Sequence, residues 1–451
     1  MIDESVVEIA EYTKKKVLQK KPSDAIITVS RSDASETKFV NNEIVKTAVK
    51  SDSDITIFAV WDKKIAVTQV KEFKKDKIDK VVEKLHKFGR QIMPKDDYFG
   101  IADGPFKYKK IPDTFDKKIV GLSAGEHLDY IDSGINAALE QGASRASGIF
   151  VTGHSDAYLT SSRGVVAQNE KSSAYFSIRA LIDAESSGHN TAVGCMLKDL
   201  DIPRTGAAAG EIARLSHKPI PGEGGQYDVI FAPLAFAPLL SVAGSAASIF
   251  AVESGLSFFK NRLGKKVASS NVNLLDHGPL PGGFGSLLFD EEGVPTQKNT
   301  LINKGIFKTF LYNTSFARKY KTKSTGNAGL IDPTNWHIVL EPGKLTKENL
   351  FSQVKNGIYV SNIWYTRFQN YLAGNFSTIP RDGMFLIKNG EFHKPIKQLR
   401  IADNILKILQ NISAIANDSR QVYSWEIGEA GAPVTLPHIL VKKVNFTEPT
   451  G

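Results

Sequence analysis

"VIFAPLAFAPLLSVAGSAASIFAV", Val229 to Val252, decides how this chain folds. No Asp, Glu, Lys or Arg occurs between Asp228 and Glu253. A continuous apolar helix of that length would reach across a bilayer. Two features argue against a span. Pro233 and Pro238 interrupt the stretch, and the rest is largely Ala, Ser and Gly rather than Leu, Ile and Val. Proline suits the first turn of a helix. The pattern therefore predicts a buried strand, "YDVIFAP", followed by a buried helix from Pro238 to Lys260, with no membrane involvement.

Around that centre the composition is that of a globular protein. The chain has 451 residues, 41% apolar and 23% charged, which exceeds what one core serves and implies more than one domain. Net charge is +9, and the densest basic run is "KGIFKTFLYNTSFARKYKTKST", Lys304 to Thr325, with Phe and Tyr interleaved. Such a run can meet a phosphate backbone, but more often it is a solvated edge, so nucleic acid is not the expected partner. Cys195 is the only cysteine, which rules out an internal disulfide and a cysteine zinc cluster. The acidic opening lacks a secretory apolar core and reads as an amphipathic helix beginning near Ile2, so a cytoplasmic protein is expected.

Strand-like runs follow the first helix: "DAIITVSRS", "ETKFVNNEIVKTAVKS", "DITIFAVWD" and "KIAVTQV", with turns at "VNNE" and "WDKK". A helix is predicted over Lys77 to Gln91, then a Pro/Gly-rich linker near 92–114. A helix around "HLDYIDSGINAALEQG", a meander turning at "TSSRG" and a helix at "GAAAGEIARLSH" complete the first part. Pro219, Pro221 and neighbouring glycines mark the strongest boundary. Beyond it lie several antiparallel strand candidates and a helix over Asn404 to Asn417. The expected class is α+β, with mixed and antiparallel sheets, flanking helices and a strand-rich C-terminal part. The division is 1–218, made of a unit at 1–95 and a second at 115–218, and then 222–451.

Catalytic signatures are sparse. The nine histidines come no closer in sequence than His127 and His154, so no single helix offers two imidazoles to a metal. Asp276, His277, Asp290, Glu291 and Glu292 cluster beside a Gly/Pro-rich stretch, where acids usually cap loops. Ser257 to Lys260 matches S-x-x-K, but Ser35 to Lys38 and Ser352 to Lys355 do too, which empties the pattern of meaning. Cys195 in an apolar run reads as packing.

The second half resembles the C-terminal domain of the TldD/PmbA family. The resemblance rests on "SFFKNRLGKKVAS" (Ser257–Ser269), "DEEGVPT" (Asp290–Thr296), "LINKGIFKTFL" (Leu301–Leu311) and "ARKYKTKSTGNAG" (Ala317–Gly329). "GNFS", "FLIKNGEFHKPIKQLRIADNILKILQNISAIAND" and "PHILVKKV" follow in the same order. The first half is similar more loosely, through "TSSRGV" and "YFSIRALIDAESSG". In that family the TldD subunit carries an H-E-x-x-x-H helix for zinc and a later cysteine ligand. Counting back from Ser257, the corresponding positions are Leu240, Ser241, Val242, Ala243, Gly244 and Ser245. Both histidines and the glutamate are replaced, and "NDSRQVYSWEIGEAGAPVTLPHI" contains no cysteine.

The resemblance thus implies the PmbA/TldE side of the family. On that reading the chain is a non-catalytic subunit of a heteromeric metallopeptidase, with no catalytic or cofactor-binding residues of its own. Leu240, Ser241 and Ser245 are then vestigial metal positions. Zinc belongs to a TldD-type partner bearing H-E-x-x-x-H, and the substrates are peptides or unfolded segments. The rival readings are a nucleic-acid-associated regulator of the DNA gyrase modulator type and a self-sufficient serine hydrolase.

Overall fold

The computed structural model describes residues 4–427 and 431–448. Ile2, expected to open the first helix, lies outside them. Helix α1 (Glu4–Leu18) buries Val6, Ile9, Ala10, Thr13 and Val17, a stripe at helical spacing. Then come strands β1 (Asp24–Val40), β2 (Glu43–Trp61) and β3 (Lys64–Val70), and helix α2 (Lys75–Gln91). The two turns hold Asn41 and Asn42 at φ 52 and 69, and Asp62 and Lys63 at φ 49 and 63. Paired positive φ values of this kind match the twist of the flanking strands. The sequence suggested breaks at residues 33–35 and 52–53, but β1 and β2 run straight through them. Unbroken pairing from Asp24↔Val60 to Lys38↔Lys46 carries both strands past their polar middles, and a bulge then shifts the register to Phe39↔Ile44.

Strands β4 (Arg145–Ser161), β5 (Val166–Leu181) and β6 (Ser187–Gly194) continue the same sheet, in the order β3-β2-β1-β4-β5-β6. β1 pairs with β4 from Ile26↔Ser161 to Phe39↔Gly148, so the expected units at 1–95 and 115–218 share one uninterrupted sheet. Helices α1 and α2 cover one end through Ile27, Val29, Ile57 and Tyr158. Helices Ala124–Glu140 and Ile202–Leu215 cover the other end through Phe150, Phe176 and Ile178. Gly148 makes that end possible, because a Cβ there would lie 2.5 Å from the Phe39 ring. The 124–140 helix is started by a capping box between Ser123 and Glu126.

The stretch at 92–114 has no regular structure, yet it is packed rather than free. Ile101 and Ala102 are buried, and Tyr98 donates to Asp24 Oδ2 at 2.8 Å. Behind it Arg163 pairs with Asp24 and Asp103, and Arg318 reaches Asp103 at 2.6 Å. The linker is therefore mortar between the N-terminal sheet and the C-terminal half.

In that half, strands Asn356–Asn370, Gly225–Phe231, Ile439–Thr447, Arg400–Asn404 and Asn375–Lys388 pair in turn, and the last pairs again with the first. The sheet closes into a ring. A second sheet runs through Lys298–Asn303, Leu274–His277, Ile338–Leu340 and Val434–Leu436. The helix predicted over Asn404 to Asn417 is shorter than expected. It ends at Gln410, and Ile412–Ile415 becomes a strand paired to Ile439–Thr447. Among the described residues no helix is long and apolar enough to cross a membrane.

Candidate functional site

The uncharged stretch lies between the ring and the second sheet. Its helix spans Pro233–Ala246 and starts five residues before the expected Pro238, which is accommodated inside it. Pro233 takes the first turn, where a missing N–H costs nothing. Pro238 forfeits one internal hydrogen bond, a loss that dense packing around the helix can override. Nor does the helix continue to Lys260, because a short separate helix, Ile249–Glu253, follows. Within Pro233–Ala246 every position is buried except Val242 and Ser245. A helix apolar all round belongs in the interior.

The positions matched to the metal helix do not converge. Leu240 is fully buried and belongs to the largest core cluster, which also holds Leu234, Phe236, Ile338 and Ile363. Ser241 is 3% exposed, and its carbonyl accepts from Ser245 Oγ at 3.2 Å. Ser245 is exposed and lies 3.2 Å from Asn335 Oδ1. Gly244 is held close to the second sheet, where a Cβ would sit 2.4 Å from Ile338 Cδ1. These donors do not suit zinc, since neutral hydroxyls and a leucine replace imidazole and carboxylate. The buried atom beside them that lacks a partner is Asn335 Nδ2, an amide donor that would repel a cation. Among the described residues, no three His, Cys, Asp or Glu side chains come together as a metal cluster.

The acid cluster sits nearby with a different purpose. Asp276 is fully buried and accepts from Trp336 N at 2.8 Å, His337 N at 3.2 Å and Asn327 Nδ2 at 2.6 Å. Asp290 accepts from the backbone N–H groups of Glu292, Val294 and Ala328, at 3.0, 2.9 and 2.9 Å. Both carboxylates therefore tie loops together. Burial pushes Asp276 up to about 6, against the hydrogen bonds that hold it down. Burial pushes Glu292 up to about 7, and the hydroxyl and backbone of Thr314 offset part of that. Asp290 is raised well above the usual carboxylate range by burial and by Glu292 beside it. His277 stays apart from Asp276, and its Nδ1 is buried without a partner.

Cys195 is buried, its Sγ lies 3.3 Å from Gly283 O, and burial raises its thiol. It packs the N-terminal sheet against the C-terminal half. The basic run is partly neutralised from within: Lys319 pairs with Asp97 at 2.7 Å and Glu253 at 2.6 Å, and Arg318 is committed to Asp103. That leaves a weaker phosphate-facing surface than the sequence suggested.

Sequence reading missed one Ser–His–Asn chain. Ser177 Oγ lies 2.9 Å from His189 Nε2, and His189 Nδ1 lies 3.0 Å from Asn362 Nδ2. Asn362 Nδ2 also donates to Asp382 Oδ2 at 2.8 Å, and its Oδ1 accepts from Ile363 N at 2.9 Å. With the amide so oriented, Nδ1 accepts and Nε2 must carry the hydrogen, which points at Ser177. A base for serine needs the reverse tautomer. Burial also lowers the pKa of His189, which keeps it neutral. The chain is a latch between β6 and the ring, not a nucleophile site. These residues lie far apart in sequence, and no spacing signals them.

Residues 224–448 match the family described as the PmbA/TldA metallopeptidase C-terminal domain. A Methanothermobacter thermautotrophicus protein named metalloprotease is 26% identical over 64% of this chain and 66% of its own length. A TldD homologue from Buchnera aphidicola, also named metalloprotease, is 34% identical over 36% of this chain and 35% of its own. The chain thus spans between about a third and just under two thirds of these relatives' lengths. The crystal structure of TldE from Thermococcus kodakarensis has the same fold, with a TM-score of 0.86 over 98% of this chain and 100% of that one, at 23% identity.

Proposed function

The chain belongs to the TldD/PmbA family, and from that premise we propose that it is the TldE-like, zinc-free subunit of a heteromeric metallopeptidase. One observation carries the reading. The helix that would hold H-E-x-x-x-H presents Leu240 to the core and only serine hydroxyls elsewhere, a donor set that fails zinc. On this reading a TldD-type partner supplies the metal, which lowers the pKa of a bound water and polarises a peptide carbonyl. The present chain supplies wall and substrate contacts, and the complex acts on peptides or unfolded segments in the cytoplasm.

The test is reconstitution. A TldD-type subunit carrying H-E-x-x-x-H is expected to co-purify with this protein, to hold about one zinc per its own chain, and to cleave an unfolded substrate only in the complex. Tightly bound stoichiometric zinc in this chain alone, or full peptidase activity of either chain alone, would falsify the assignment.

A further inference from the structure

A cleft of about 400 Å³ opens where the N-terminal sheet meets the ring, lined from one side by Arg179 and Ser187 and from the other by Arg381, Asp382, Met384 and Leu399. That volume suits a small ligand. Its floor is shaped by an irregularity in the backbone. Val360 pairs with Met384 but Asn362 pairs with Arg381, so strand Asn375–Lys388 carries an extra residue there. Asp382 sits in that bulge at φ 65, a left-handed conformation that Asp tolerates better than most residues. Gly383 follows with no room for a side chain, since a Cβ would lie 2.6 Å from Ile212 Cγ2. Bulges of this kind re-aim side chains and are common beside binding sites.

The charges around the cleft do not balance. The Asp382 carboxylate is buried and fully engaged, by Arg179 at 2.8 Å, Ser187 at 2.9 Å and Asn362 at 2.8 Å. Glu185 is taken by Lys397 at 2.6 Å. Arg381 is exposed, stacks 4.9 Å from the centroid of the Trp364 ring, and has no carboxylate partner among the described residues. Arg179 lies 4.5 Å from the same ring, and its Nε is buried with no acceptor. One guanidinium charge and one buried N–H thus remain unmatched beside an apolar wall of Met384, Ile396 and Leu399.

We propose that this cleft binds a carboxylate joined to an apolar group, namely the C-terminal end of a peptide. A carboxylate accepts from an arginine fork in the plane the guanidinium presents, and it brings the single negative charge the cleft lacks. A phosphate dianion would overshoot that charge and gain nothing from the apolar wall. The proposal deepens the peptide-handling reading above and rests on it for the source of the ligand. Its test needs this chain only.

The experiment titrates the full-length protein by calorimetry with acetyl-Gly-Leu-Leu as the free acid and as its C-terminal amide, with inorganic phosphate as competitor. The acid is expected to bind at least ~10-fold more tightly than the amide, the usual cost of deleting a charge-assisted bond. Arg381→Gln should abolish that preference, Arg381→Lys should keep part of it, and phosphate should not displace the acid. Equal binding of acid and amide, no binding of either, an unchanged preference in Arg381→Gln, or displacement by equimolar phosphate overturns the proposal. Should Arg381→Gln not fold, the lysine variant decides, because it must weaken the preference. Binding here together with a peptidase-dead reconstituted complex would sink the subunit assignment and leave the cleft standing; an active complex without this binding would do the reverse.

Discussion

Two buried regions lie side by side in the C-terminal half and use their interiors in opposite ways. Helix Pro233–Ala246 buries almost nothing but carbon: Gly244 sits close against Ile338, and Leu240 is sealed in the core. The segment from Asp276 to Glu292 buries carboxylates and engages them with backbone N–H groups. Burying a charge costs several kcal/mol unless it is paired or neutralised. The buried acids of this segment are placed where they lock loops, whereas the helix that the family resemblance associates with chemistry is buried as packing. A motif position and an interior role can therefore part company while the fold persists.

The largest expected effect comes from forcing the helix back towards chemistry. The combined change Leu240→His, Ser241→Glu and Ser245→His puts an imidazole in an apolar core and leaves Leu240's contacts unfilled. It should cost about 4 kcal/mol, the sum of a core truncation and a buried polar group. Denaturant unfolding measures the loss, and elemental analysis should find no stoichiometric zinc. A stable variant that binds one zinc tightly would erase the contrast between the regions.

The acidic region should break almost as badly. Asp290→Ala strands three backbone donors and is expected to cost about 3 kcal/mol, read from the same unfolding curves. The region also makes stability depend on pH, with a sign the pKa values set. Asp276 is raised to about 6 and Glu292 to about 7, so the folded state holds protons that the unfolded chain releases above about pH 4. Their contribution is fully present below that pH and is lost as pH rises through 6 and 7. For Asp276 the change amounts to about 3 kcal/mol as an order of magnitude. Melting temperature should fall across pH 5 to 7, and Glu292→Gln should flatten part of the slope. A melting temperature that rises over that window would contradict the burial of protonated acids.

Much of this was legible beforehand, for reasons that differ by element. The turns at Asn41–Asn42 and Asp62–Lys63 announce themselves because few residues tolerate positive φ, and the alternation of Ile27 and Val29 sets the buried face. The loop-tying role of Asp290 followed from acids beside a Gly/Pro-rich stretch. Three features were not legible. The fusion of the two N-terminal units depends on β1 pairing with β4, more than a hundred residues away, and nothing local encodes that partner. Pro238 looked like a helix start because local chemistry favours it, and tertiary packing overrode that preference. The Ser177–His189–Asn362 latch and the bulge at Asp382 join residues that no spacing rule connects.

A smaller effect tests the tight point on the helix. Gly244→Ala drives a methyl to within 2.4 Å of Ile338 Cδ1. The same methyl would come within 2.7 Å of Ile338 Cγ1 and 2.8 Å of Asn335 Nδ2, and both side chains are buried, so they must shift at a cost of about 1–3 kcal/mol. The gain in helix propensity, about 1 kcal/mol, works the other way and sets the lower bound. A stabilised variant in thermal unfolding would mean that the helix and the second sheet are less closely packed than the distances state.

The smallest effect on stability is the most informative about function. Ser245 is the one position matched to a metal ligand that reaches the surface, and its bonds to Ser241 and Asn335 are both 3.2 Å. Exposed hydroxyls of this kind contribute little, so Ser245→Arg should leave unfolding within about 0.5 kcal/mol of the parent. If the exposed end of the helix faces a chamber shared with a TldD-type subunit, a long cation there should obstruct substrate or docking and cut the activity of the reconstituted complex. Leu240→Val, buried on the opposite side, should do the converse: it loses about 1 kcal/mol of stability and leaves activity intact below its melting point. Activity that follows stability in both variants would assign Ser245 to packing as well, and the helix would then have no face left for a shared site.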